Sequence, residues 1–126
     1  MATIKSYTDI EQSKKLAEIL PLESSDMYYF IADNLEKQET NYAIRCGTPI
    51  VKTDIPCWSL AALLDILPII EKGKDIFNPF IAKTPDNGYY IVYATLTKEG
   101  NSSAIYDNPV DACYEMILKL HELNLL

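Results

Sequence analysis

Cys57 and the single histidine, His121, are the two residues whose types could carry nucleophilic chemistry. A thiol at a helix N-terminus loses its proton more readily, and the free amides there can receive an oxyanion. Cys57 stands just before the apolar run Leu60–Leu67, so a helix capped by Ser59, or beginning as early as Cys57, would give it that setting. His121 would then have to act as its base. The sequence puts His121 near the end of another helix, on a stripe with Tyr114, Leu118 and Leu125. A packing face or a subunit contact explains that stripe more simply than catalysis does. Cys57, followed by Trp58, reads better as a small buried apolar residue beside a core tryptophan. No catalytic site is assigned on this basis, and Cys57 with His121 is the pair to test.

Other chemistries find less support. One histidine, with cysteines 11 and 56 positions apart, supplies no closely spaced ligand pair, so no metal is expected. Four isolated glycines form neither a P-loop nor a dinucleotide fingerprint, and no cofactor is expected. Eighteen acidic residues guarantee chance carboxylate pairs, so spacing alone cannot pick out a glycosidase dyad. The unusual feature is nine tyrosines. Tyrosine covers apolar area while keeping a polar tip, which suits half-buried sheets and binding surfaces. The surface candidates are Tyr28, Tyr29, Tyr89, Tyr93, Tyr114 and Leu118.

The net charge is −7, divided −3 and −4 between the halves, so the acid is a diffuse coat and not a tail. Arg45 is the single arginine among eleven bases. A chain poor in guanidinium forks and repelled by polyanions is not expected to bind nucleic acid. The opening MATIKSYTDIEQ lacks the apolar core of a signal peptide, and no apolar run is long enough to cross a bilayer. Three cysteines cannot all pair within one chain. They read as reduced thiols of a cytoplasmic protein that makes no membrane contact.

Periodicity and punctuation define the elements on which these residues sit. A length of 126 residues predicts a single domain, 1–126. Thr8 and Glu11 fit a capping box for a helix stopped by Pro21. Met27–Ile31 favours a strand, and 33–40 a polar connection, partly helical. Tyr42–Cys46, with Gly47-Thr48-Pro49 turning into Ile50 and Val51, predicts a hairpin at 42–52. Leu60–Leu67 is a helix without a wet stripe, succeeded by a short turn 69–72 and a stop at Gly73. Turns at Pro85–Gly88 and Lys98–Asn101 frame a three-stranded meander over 76–106, with Pro79 marking an edge strand. Asn108-Pro109 opens the last helix, with a core stripe of Val110, Cys113, Met116, Ile117 and Leu120 and a wet pair Glu115–Lys119. Strands in series with helices at the ends predict an α+β fold, an antiparallel sheet packed against about three helices.

The strings LPLESSDMYY (20–29), PCWSLAALLDILP (56–68) and NPVDACYEMILKLHELNLL (108–126) resemble a group of short uncharacterised proteins of gut anaerobic bacteria and their mobile elements. That resemblance implies a bacterial or phage accessory protein and transfers no site residues. The Cys57-Trp58 pair is also similar to the one opening the catalytic helix of papain-like proteases, but the glycine-rich approach is missing and Pro56 precedes the cysteine. The expected function is a non-catalytic protein-interaction module, with a protein partner or a second copy (a homodimer) as its target. Two alternatives remain: a hydrolase or transferase using Cys57 and His121, and an acidic DNA mimic.

Overall fold

A computed structural model describes residues 4–34 and 39–126. It is an α+β structure with three α-helices and two antiparallel sheets among the described residues. The chain divides into two compact units, Tyr7–Ala62, and Leu63–Leu126 with the segment ending at Ser6.

In the Tyr7–Ala62 unit, helix α1 spans Ile10–Ala17. Its capping box is one residue later than the sequence suggests. The Asp9 carboxylate accepts from Gln12 N at 2.8 Å, and Gln12 Oε1 accepts from Asp9 N at 3.1 Å. Thr8 is not the cap because its hydroxyl is buried and used elsewhere.

Strand β1 (Met27–Asn34) pairs with β2 (Glu39–Cys46) from Met27↔Cys46 to Asn34↔Glu39. This corrects the hairpin expected at 42–52. Gly47 does turn the chain, at φ 122°, but it leads into a loop, and β2 finds its partner upstream. Of the polar connection expected over 33–40, residues 33, 34, 39 and 40 are strand, and residues 35–38 lie outside the described part. Strand β3 (Ile55–Cys57) joins the other side of β1, giving the order β2-β1-β3. Pro56 has no amide hydrogen, and it sits opposite Tyr28, where its nitrogen points away from β1. Tyr29, Ile55 and Cys57 form a core cluster.

Helix α2, Leu60–Ile66, contains the boundary between the units and is capped by Ser59, whose Oγ accepts from Ala62 N at 3.2 Å. It does not begin at Cys57. It also has an exposed side, carrying Ala61, Leu64 and Asp65, which the sequence did not predict.

In the other unit the sheet order is β4-β5-β6-β7, from Ile70–Lys72, Asp75–Lys83, Tyr89–Ala94 and Glu99–Ser102. The segment expected as a turn at 69–72 is thus an edge strand, and Gly73, at φ 61°, makes the tight β4–β5 turn instead of a helix stop. The last turn of the meander lies at Thr95–Lys98, closed by Thr95 N donating to Lys98 O at 2.8 Å, not at Lys98–Asn101. Pro79 fits its edge role: β4 covers β5 only as far as Phe77.

Helix α3 (Pro109–Glu122) is capped by Asn108, whose side chain accepts from Asp111 N at 2.8 Å. Val110, Cys113, Met116, Ile117 and Leu120 are all fully buried, as their spacing requires, and the helix packs on β6. Glu115 and Lys119 do not act as the expected wet pair. Glu115 accepts from Ala104 N at 2.8 Å, pinning the loop that precedes α3, and Lys119 donates to Ser102 O at 3.0 Å, at the end of β7.

Candidate functional site

Cys57 ends β3 and is fully buried within a polar knot around Thr8. The Thr8 hydroxyl lies 2.8 Å from Ser13 Oγ and 3.5 Å from Cys57 Sγ, and it accepts from Trp58 N at 3.2 Å. The Thr8 carbonyl accepts from Tyr29 OH at 2.7 Å and from the Cys57 thiol at 3.4 Å. Burial pushes the Cys57 thiol up, against the lowering effect of its hydrogen bonds from Thr8, Ser13 and Tyr29. An activated thiol needs the opposite shift and a path to solvent. His121 is exposed on α3, and the two residues belong to different units. Cys113, in the core stripe of α3, is pushed up to about 12 by burial. The exposed thiol is Cys46.

The tyrosines divide. Tyr28, Tyr29 and Tyr93 are buried, although Tyr28 still lines a cleft of its own unit. Tyr29 bonds the Thr8 carbonyl, and Tyr93 OH donates to Pro68 O at 2.8 Å. Tyr89, Tyr114 and Leu118 are half-buried, and Lys83 Nζ stands 5.6 Å above the Tyr89 ring. Among the described residues no group of three or more metal-binding side chains occurs. No described helix is long and apolar enough to cross a membrane.

Two open apolar regions were not legible in the sequence. On the sheet of the Leu63–Leu126 unit, Ile76, Phe80 and Leu96 are exposed along a trough of about 520 Å³. A smaller cleft of about 270 Å³ lies in the Tyr7–Ala62 unit, where Phe30, Ile31 and Arg45 meet Ile50, Val51 and Thr53. Ile50 and Val51 are 77% and 58% exposed. The Arg45 guanidinium carbon stands 4.7 Å above the Phe30 ring. Asp54 holds the loop in shape by accepting from Ile50 N at 2.8 Å and Val51 N at 3.0 Å.

Beside this cleft β1 has a free edge. In antiparallel pairing, alternate residues turn their amide and carbonyl to the same neighbour. Since Pro56 cannot donate, the bonded pairs to β3 are Met27–Cys57 and Tyr29–Ile55. Gly47 N donating to Asp26 O at 2.8 Å confirms that even-numbered residues face β2. Ile31 therefore turns its N–H and C=O to the β3 side, but the β1–β3 ladder ends at Tyr29↔Ile55. Among the described residues the Ile31 main chain has no partner. An unpaired edge next to an apolar cleft is a template for an added strand. No family, curated protein or solved structure matches the chain.

Proposed function

We propose that this chain is a non-catalytic protein-interaction module, and that it binds an extended segment of a partner protein along the free edge of β1. The observation that carries this reading is the unpaired main chain of Ile31 beside the cleft formed with Ile50 and Val51. Added strands draw affinity from main-chain hydrogen bonds and specificity from pockets for alternate side chains. The open Ile31 main chain and the cleft beside it support that mode. The resemblance to accessory proteins of gut bacteria and their mobile elements is compatible with such a role. The Cys57–His121 alternative is less favoured, because the thiol is buried and held protonated. A DNA mimic is less favoured as well. Six of the chain's eighteen side-chain carboxylates, those of Asp9, Asp26, Asp54, Asp75, Asp111 and Glu115, are engaged in caps, loop amides and lysine contacts.

The test is selection from a displayed library of randomised eight-residue peptides. Enriched peptides should bind the wild-type protein and lose binding to Val51→Asp, a variant at an exposed position that should keep its circular dichroism. No enrichment, or peptides indifferent to Val51→Asp, would overturn the reading. Sedimentation separates a partner from a second copy: the wild type should be a monomer at tens of micromolar. A dimer that Val51→Asp dissociates would instead give the edge to self-association.

A further inference from the structure

Resting on the edge reading above, we infer that the segment bound at β1 carries an acidic side chain, received by Arg45. Arg45 lies on β2 opposite Tyr28, so it shares a sheet face with Tyr28 and Phe30. Its guanidinium lies over Phe30, which lines the cleft. A ring beneath a guanidinium holds it flat while leaving its planar fork of donors free for a carboxylate. Among the described residues Arg45 makes no ion pair.

The carboxylate already in the cleft does not compete on equal terms. One oxygen of Asp54 is committed to the amides of Ile50 and Val51. Lys52, exposed on the same loop, adds a second positive charge. Of the two, Arg45 alone lines the cleft, and it is the single arginine of a chain of net charge −7. Along an added strand, side chains two apart fall on one face. Pro56 holds the place opposite Tyr28, and by the same register Asp54 falls opposite Phe30, so the first open position on the face of Phe30 and Arg45 is opposite Ala32. A carboxylate there shares the face of the Arg45 guanidinium over Phe30. The ligand class is an acidic, extended peptide.

The probes are capped, fluorescein-labelled eight-residue peptides in which threonine alternates with valine, one central valine being replaced by glutamate or by glutamine. Fluorescence anisotropy should show the glutamate peptide binding the wild type about tenfold more tightly than the glutamine peptide, a gap of about 1.4 kcal/mol. Arg45→Gln should close that gap, and Arg45→Lys should recover only part of it. Raising the salt should weaken the glutamate peptide selectively. Equal binding of both peptides to the wild type would overturn the carboxylate inference and leave the edge reading standing. Failure of both peptides to bind would overturn the edge reading with it. Trp58 fluorescence, from a buried residue of the same unit, confirms that the variants are folded.

Discussion

Thr8 is the residue whose removal should cost the Tyr7–Ala62 unit most for the smallest change of shape. Thr8→Val keeps the volume and deletes only the buried hydroxyl. Trp58 N–H then loses its acceptor at 3.2 Å, and Ser13 Oγ loses its partner at 2.8 Å. An orphaned buried amide costs about 1–3 kcal/mol. The Ser13 hydroxyl sits in the first turns of α1 and can turn to the carbonyl of Asp9, so its loss adds only about 0.5–1 kcal/mol. The bonds to the Thr8 carbonyl, from Tyr29 and Cys57, survive the change. The expected total is about 1.5–4 kcal/mol. With an unfolding entropy of about 0.26 kcal/mol/K for a chain of this length, that is a fall of roughly 6–15 °C in Tm. Thr8→Ser, which keeps the hydroxyl and loses one methyl group, should cost only about 1 kcal/mol. The assay is urea unfolding followed by fluorescence of Trp58, the single tryptophan, which is fully buried and donates its indole N–H to Ser24 Oγ at 3.0 Å. If Thr8→Val proves as stable as Thr8→Ser, or more so, Thr8 acts as apolar filler and the hydrogen-bond reasoning is refuted.

Thiol accessibility and alkaline stability give two further checks. A thiol-reactive chromogen should label one cysteine of the native protein quickly, Cys46, while Cys57 and Cys113 react only as the structure opens. A fast second equivalent that Cys57→Ser abolishes would reinstate Cys57 as a nucleophile. Burial raises Cys113 and Tyr93 to about 12 in the folded chain, from ordinary values of 9.0 and 10.0. The unfolded chain therefore loses these protons first. The stabilisation is complete below about pH 9 and declines as pH rises toward 12. In the presence of reductant, the urea midpoint should be lower at pH 10.5 than at pH 8, and Cys113→Ala should reduce the difference. A midpoint unchanged across that range would contradict the assignment.

What the sequence disclosed was local, and what it concealed depended on distant segments. Helix α3 was legible because Asn108, Pro109 and Asp111 announce its start and its stripe repeats within fourteen residues. The cap of α1 was misplaced by one residue because Thr8 and Asp9 are both good caps. Only the contact with Ser13, Cys57 and Trp58 shows that the first is occupied. Glu115 and Lys119 have the spacing of an ion pair, but the backbone at Ala104 and at Ser102, the end of β7, offers each a better partner. The tyrosines carry no mark of exposure. Tyr28 and Tyr29 are adjacent on a strand, hence on opposite faces, yet both are buried.

The hairpin misplaced at 42–52 and the unrecognised edge of β1 have a common cause. A turn signal such as Gly47-Thr48-Pro49 says where the chain bends, not whether its flanks pair. Ile50 and Val51 come after the turn, but their amides bind the Asp54 carboxylate and so are lost to any ladder. Asp54 N in turn donates to Val51 O at 3.0 Å, closing a tight loop immediately before β3. By register, the residue that would continue β3 along β1 is Thr53, opposite Ile31. Held in that loop, Thr53 does not reach it. Asp54 therefore does two things at once. It satisfies the loop that carries Ile50 and Val51, and it stops β3 after three residues. The Ile31 main chain is left open beside an apolar wall and the chain's single guanidinium.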